Sequence, residues 1–457
     1  MPLFGTIPHT KNLSHLYNII YKERFLVWFF VNPKNSFFMF LIPNPSLFVF
    51  FFVLLLPFCP TLAQNYTSYI VGSAMDISTS TQGGTLLMGG STDVDNAIRW
   101  LLQRANGGDV VVIRATGADG YNDYMYSELG VTVNSVETLI IPSIAAANNA
   151  YVVNQIRNAE ALFIAGGDQY NYVSKWRNTL VEDALNYLIN EKHVTVGGTS
   201  AGMAIQGDAY FSAQNGTVYS DEALNDPYNT YMTIGYDDFL NNPYLKNTIT
   251  DTHFDNPDRR GRLLTFLARL MTDYNFMPLG IASEETTAVC IDEQGIARIF
   301  GGNANGDYAY FLRANCLLPN TPENCQTANN LTWNRNQKAV KVYKVQGTIN
   351  GTNTFDLNNW ETGIGGVWEH WYAQNGALNA LSGTPPEAPT ITIIGQQNAC
   401  SGNTYTYSIQ SPPTIGSPMY QWSLNGTGTI LSGQSTPQIT VQWTNGTTGT
   451  VNVVQTY

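Results

Sequence analysis

Between Tyr69 and Val289, short apolar runs alternate with stretches whose apolar positions recur at helical spacing. Thr85–Met88, Val110–Ile113, Thr138–Ile141, Leu162–Ala165 and Val194–Val196 are almost wholly apolar and too short for helices. Such runs predict strands covered on both faces. Behind the first, Gly89 and Gly90 make a turn, and Ser91 or Thr92 caps a helix whose apolar positions are Val94, Ala97, Ile98, Leu101 and Leu102. Ser143–Asn158 and Tyr172–Asn190 predict further helices between the later strands. Buried strands spaced by helices predict an α/β fold, a parallel sheet with helices on both faces. Past Ala288 the strands Ala297–Gly301, Ala339–Val345 and Trp368–Trp371 stand among Gly/Asn-rich turns and finish the same domain.

A stiff proline segment, Gly383–Pro389, then separates a different pattern. Residues 390–457 alternate apolar and polar positions, with strands expected at Thr390–Ile394, Thr404–Ile409, Tyr420–Leu424, Thr440–Trp443 and Thr450–Val454. Turn signals every eight to twelve residues predict a small β-sandwich. No closing strand is evident before Tyr457, so the chain reads as a piece of something longer. At the other end, Leu47–Leu56 is an apolar run short of the ~20 residues that span a bilayer. Thr61 and Ala63 suit cleavage after Ala63, so residues 1–63 read as an export signal, with Met39 an alternative start. The expected division is 1–63 signal, 64–385 main domain and 386–457 β-sandwich.

Composition narrows the function. Charged residues make up only 12% of the 457, and the net charge is −12. Residues 1–63 carry four basic side chains and one acidic, which leaves −15 on the remainder. That surface repels phosphate backbones, and nucleic acid is not an expected partner. Of five cysteines, Cys59 leaves with the signal, and Cys316 and Cys325 bracket a loop short enough to pair in an oxidising compartment. No metal-ligand spacing is present, so neither metal nor organic cofactor is expected.

Three segments carry chemistry. In Val194–Ile205 a buried strand feeds Gly198-Thr199-Ser200-Ala201-Gly202 and then a helix. Small residues on both sides of Ser200 permit a turn tight enough to present its hydroxyl above the sheet. The amide of Ala201, at a helix start, would then face a developing oxyanion. A serine needs a base. His193 begins the nucleophile strand and would lie at the opposite edge, whereas His253 sits in Asp251-Thr-His-Phe-Asp255, followed by Asp258, Arg259, Arg260 and Arg262 and a helix over Leu263–Tyr274. The third segment, Leu162–Gln169, ends a strand in Gly166-Gly167-Asp168-Gln169 one βα unit before Ser200, on the same edge. Gly167 or Asp168 could supply a second oxyanion amide, and Gln169 could touch substrate.

Gly-Gly-Asp-Gln, then Gly-Thr-Ser-Ala-Gly, then Asp-Thr-His-Phe with its arginines, in this order and spacing, resemble the cyanophycinase-like serine peptidases of family S51. The resemblance runs from about Tyr69 to Val345 and takes in Gly117–Asn122. It implies the flavodoxin-like sheet of class I glutamine amidotransferases. It also implies Ser200 as nucleophile, His253 as general base, and an acid about twenty residues past the serine. Glu222 is the first choice for that acid and Asp221 the second. Gln169 and Asp251 match pocket positions, Arg259 and Arg262 match arginines of the family, and Pro257 stands where its pattern carries another basic residue. That departure bears on the polymer substrate and not on the acyl chemistry. Glu285 lies in a segment, Gly280–Glu285, similar to a recurrent strand end, with no role assigned. Residues 390–457 resemble PKD or Ig-like repeats through Cys400, Tyr420-Gln421-Trp422 and Trp443.

The expected protein is therefore a secreted or cell-surface serine peptidase acting on acidic or β-aspartyl peptides, its C-terminal module offering a means of surface attachment. Two rivals stand beside it. An α/β-hydrolase esterase would place its acid and histidine further past the nucleophile, and a non-catalytic binding protein would have no need of the serine, histidine and acid together.

Overall fold

The computed structural model describes residues 25–26, 41–42, 65–302, 306–315, 320–386, 391–410, 412, 418–444 and 448–456. Residues 1–63 form a unit of their own, in which Phe25–Leu26 pairs with Leu41–Ile42. The expected signal segment otherwise lies outside the described residues.

The main domain is built on a ten-stranded sheet. Its centre is five parallel strands: β2 (Gly84–Met88), β3 (Asp109–Arg114), β4 (Ser135–Ile140), β5 (Ala161–Ile164) and β6 (Thr195–Thr199). They lie side by side in the order β2-β6-β5-β3-β4. β1 (Thr67–Gly72) closes the β4 side antiparallel, and the strands Thr287–Asp292, Ile296–Gly301, Asn353–Asp356 and Gly363–Ile364 extend the β2 side antiparallel. Almost every residue of the five central strands is buried, which is why they are continuous apolar runs in the sequence. On one face, α1 (Asp95–Arg104) packs Ala97, Ile98, Leu101 and Leu102 against Leu86, Val110 and Phe163. On the other, α2 (Ala150–Asn158), α3 (Gln169–Trp176) and α4 (Leu180–Asn190) cover Val111, Leu162 and Val196. Trp176 is fully buried there and donates its ring N–H to Ile141 O at 3.1 Å. Burial of a large apolar side chain of this kind contributes about 1.5–3 kcal/mol.

A second, eight-stranded sheet was not expected as a separate layer. It runs from the Ile234–Tyr236 edge through Ala209–Phe211, Thr248–Asp251, Leu279–Ser283, Tyr308–Ala314, Val340–Gln346 and Gly366–Gln374 to Ala377–Ser382. Ile281, Phe311, Tyr343 and Val345 from it pack on Leu87, Val289 and Ile299 of the first sheet. The helix expected over Tyr172–Asn190 is two helices, because the chain turns at Asn178, whose φ is 59°. Residues 143–158 likewise divide, capped separately by Ser143 and Asn149.

At the N-terminal edge of the parallel strands the polar groups close on one another. The Lys192 ammonium donates to Arg157 O, Asn158 O and Ala159 O and pairs with Glu160 at 3.0 Å. Glu160 in turn accepts from Asp109 N at 2.9 Å. Arg104 donates to Thr195 Oγ1 at 2.9 Å and pairs with Glu293 at 3.3 Å.

The C-terminal module has a four-stranded sheet, in the order Ile393–Gly395, Thr404–Ile409, Gln438–Trp443, Gly428–Ser432. It also has a pair, Met419–Asn425 with Thr450–Thr456, so the last strand does close on a partner. Tyr407, Ile439 and Val441 of the sheet share a core with Tyr420 and Trp422 of the pair. Cys400 is a free, exposed thiol. Cys325 is free and buried, and burial raises its thiol to about 11. Cys316 lies outside the described residues.

Candidate active site

Ser200 leaves β6 with φ 52° and ψ −116°, a conformation unfavourable for a residue with a side chain. The neighbouring structure holds it there. Its N–H donates to Met88 O at 3.0 Å, and its C=O accepts from Met203 and Ala204, the start of the short helix α5 (Ala201–Ala204). The hydroxyl is thereby turned away from the strand.

His253 follows the strand Thr248–Asp251 and is tied by its N–H to Gly89 O at 2.9 Å. Its Nε2 lies 2.8 Å from Ser200 Oγ, and its Nδ1 lies 2.7 Å from Glu285 Oε1. A carboxylate at Nδ1 selects the tautomer in which Nε2 can accept the serine proton. The ring fits because Gly90 has no side chain: a Cβ there would lie 2.5 Å from Cε1 and Nε2. Glu285 sits between Leu279–Ser283 of the second sheet and Thr287–Asp292 of the first. Its N–H donates to Asp255 Oδ1 at 2.8 Å, and its Oε2 accepts from Asn256 Nδ2 at 3.3 Å. The hydrogen bond from His253, with those from Asn256 and Ser91, holds the Glu285 carboxyl below the usual glutamate range.

The expected acid is elsewhere. Glu222 lies in α6 (Ser220–Asn225), where its carboxylate accepts from Tyr219 N at 2.9 Å and caps the helix. Asp221 is in the same first turn. Both carboxylates serve a helix start, and the position assigned to them is filled by Glu285. One signal in the sequence points to that stretch, the strand Leu279–Ser283 ending in Glu284-Glu285, and it does not choose between the two glutamates.

The Gly166–Gln169 turn lies beside the serine, since a methyl group on Gly166 would approach Ser200 Cβ to 3.6 Å. Among the described residues, the N–H groups of Gly167, Asp168 and Ala201 make no backbone hydrogen bond. The Asp168 side chain caps α3, accepting from Tyr170 N at 2.9 Å. Gln169 donates to Phe211 O at 3.3 Å, and beyond it a groove of about 660 Å³ is lined by Tyr170, Arg177, Tyr210 and Tyr236. Asp251 and Arg262 are not pocket residues. Each is only 2% exposed, and Arg262 Nε reaches Asp251 Oδ2 at 3.0 Å while Nη2 pairs with Oδ1. The guanidinium also donates to Val218 O and lies over the Phe211 ring, so the pair is consumed in the core. Arg259 differs: Nη1 donates to Thr252 O at 3.0 Å, but its buried Nε has no partner among the described residues. Burial, and then the charge of Arg262, pull its pKa below the ordinary arginine value. No cluster of three metal-ligating side chains occurs among the described residues.

A serine, an imidazole and a carboxylate in line at the carboxyl edge of a parallel sheet form the arrangement that activates a hydroxyl for attack on a carbonyl. Comparison with known proteins places it further. Residues 83–299 match peptidase family S51 and residues 385–456 match a PKD-like domain. The likeness carried by the three motifs is thereby shown. Similar curated proteins include the cyanophycinase of Synechococcus elongatus, 25% identical over 206 residues, 44% of this chain and 58% of that protein. The cyanophycinase of Nostoc sp. is 24% identical over 177 residues, 39% of this chain and 53% of that one. The match thus spans about half the length of these relatives. A peptidase from an acI-B1 Actinobacterium aligns at 14% identity over 50% of this chain and 91% of its own, with a TM-score of 0.36.

Proposed function

We propose that the chain is an exported serine-type peptidase that cleaves acidic or β-aspartyl peptide bonds through an acyl-enzyme, using Ser200, His253 and Glu285. The observation that carries the reading is the continuous relay of 2.8 Å from Ser200 Oγ to His253 Nε2 and 2.7 Å from Nδ1 to Glu285. In this reading Nε2 takes the hydroxyl proton as Oγ attacks the carbonyl carbon. The oxyanion is met by the free N–H groups of Ala201 and of the Gly167–Asp168 turn. As the C–N bond breaks, Nε2 returns the proton to the departing amine. Water then attacks the ester, loses its proton to Nε2, and Oγ leaves re-protonated. Glu285 stays ionised and stabilises the imidazolium.

Arg259, whose guanidinium pairs with no carboxylate among the described residues, supports an acidic substrate. The flavodoxin-like description, the division into 64–385 and 386–457, removal of residues 1–63, and surface attachment through the PKD-like module belong to the same proposal. The test is hydrolysis of cyanophycin and of α- and β-aspartyl dipeptides by the full chain, with a Ser200→Ala control and fluorophosphonate labelling. Turnover and labelling that both vanish in the control support the reading. A folded protein that neither labels at Ser200 nor turns over any of these substrates would overturn it.

A further inference from the structure

The dyad has a second neighbour on the side away from His253. In the order β2-β6-β5-β3, the strand ends present Gly89-Gly90 against His253, then Ser200, then Gly166-Gly167, then Arg114. The ladder is in register, with Met88 opposite Thr199, Gly198 opposite Ile164, and Ile164 opposite Ile113. Neighbouring strands lie about 4.8 Å apart, so the Arg114 Cα stands roughly 10 Å from that of Ser200. A ligand seated on the serine is within reach of an arginine at that spacing.

The Arg114 guanidinium is positioned but not neutralised. Its Nε donates to Thr116 O at 2.6 Å and its Nη1 to Ala118 O at 3.2 Å. The loop can wrap this closely because Gly117, at φ 112°, brings no side chain; a Cβ there would lie 2.5 Å from Cζ. Among the described residues no carboxylate pairs with Arg114, and Nη2 makes no hydrogen bond. Tyr172, whose hydroxyl donates to Ala165 O and Gly166 O beside the serine, feels its charge: burial pushes that phenol up and Arg114 opposes the rise.

We propose that Arg114 recognises a carboxylate on the acyl half of the substrate. The proposal rests on the peptidase reading and adds which half is read, and by what. His253 must deliver its proton to the departing amine, so the leaving half lies on the β2 side of Ser200. The acyl half then extends over β5 toward β3. An aspartyl residue attacked at its side-chain carbonyl keeps its α-carboxylate on that half, and one attacked at its main-chain carbonyl keeps its side-chain carboxylate. In either case the anion meets a fixed guanidinium with Nη2 to spare, where a charge-assisted bond is strong.

The test compares β-aspartyl-leucine with β-alanyl-leucine, which is the same dipeptide without the α-carboxylate. The wild type should prefer the former by about 30- to 100-fold in kcat/KM. Arg114→Gln should abolish that preference by slowing β-aspartyl-leucine while changing β-alanyl-leucine less than about twofold. Arg114→Lys should retain part of it, because the charge stays and the fork is lost. An equal loss on both dipeptides, or a preference that survives Arg114→Gln, overturns the proposal. If the wild type cleaves neither, the substrate reading falls on its own. Calorimetric binding of β-aspartyl-leucine in a Ser200→Ala background then decides Arg114: weakening of about tenfold or more by Arg114→Gln supports it, and absent or indifferent binding overturns it.

Discussion

The two edges of the parallel sheet are both polar, yet they differ in what their polar groups are left to do. At the N-terminal edge Lys192 spends its ammonium on three carbonyls and Glu160, and Arg104 divides its guanidinium between Thr195 and Glu293. At and beside the carboxyl edge Ser200 is held at a strained φ, and among the described residues Arg114 and Arg259 have donors without acceptors and the Ala201 N–H meets no backbone carbonyl. Donors left without acceptors beside a candidate nucleophile mark where a ligand can complete the bonding. Arg259 and Arg262 repeat the contrast at close range. Three residues apart at one helix start, one is locked to Asp251 in the core and the other is left open.

Substitutions can break this contrast in a graded way. Ser200→Ala should lower turnover by at least about 10⁴-fold with no loss of melting temperature, read by steady-state kinetics and calorimetry. Glu285→Gln should cost about 10³- to 10⁴-fold in kcat, through loss of tautomer control. Because the Glu285 carboxyl is held below its ordinary range, its ionised form favours the native state. The stability that wild type holds over Glu285→Gln should therefore be full above about pH 5 and shrink as pH falls below about 4. Gly90→Ala should displace the imidazole and slow the reaction about 100-fold while the fold survives. At the opposite edge Glu160→Ala should destabilise by about 3 kcal/mol in denaturant titration, since it strands the Lys192 charge, with kcat unchanged at temperatures where the protein is folded. Glu222→Ala should cost only about 0.5–1 kcal/mol, the value of a helix cap, and leave kcat intact.

How far the sequence discloses this arrangement depends on the range over which each feature is determined. The central strands were legible to within a few residues, because burial on both faces makes Val110–Ile113 or Leu162–Ala165 apolar without interruption. Ser200 and Gly166–Gln169 were legible because a strand, a small-residue turn and a helix follow one another locally. The second sheet was harder, since several of its strands pair with segments far off in sequence, as Tyr308–Ala314 does with Leu279–Ser283. Glu285 was missed for the same reason. It reaches His253 across 32 residues through a turn between two sheets, and no local pattern distinguishes it from Glu284, whose carboxylate accepts from Tyr308 N and the Tyr310 hydroxyl. Glu222 was misassigned because an acidic residue at a helix start has two uses, and spacing alone does not choose between them.

One buried cation has a mechanical meaning. Lys341, 4% exposed on the strand Val340–Gln346, donates its ammonium to Thr384 O, Thr384 Oγ1 and Pro385 O. The outgoing chain is thus clasped where it passes into the PKD-like module. A pull exerted through that module would load this clasp and the strand pairing of Ala377–Ser382 first. Both belong to the eight-stranded sheet. Ser200 sits on the other sheet, so tension on the tail would be borne by a layer that does not carry the nucleophile.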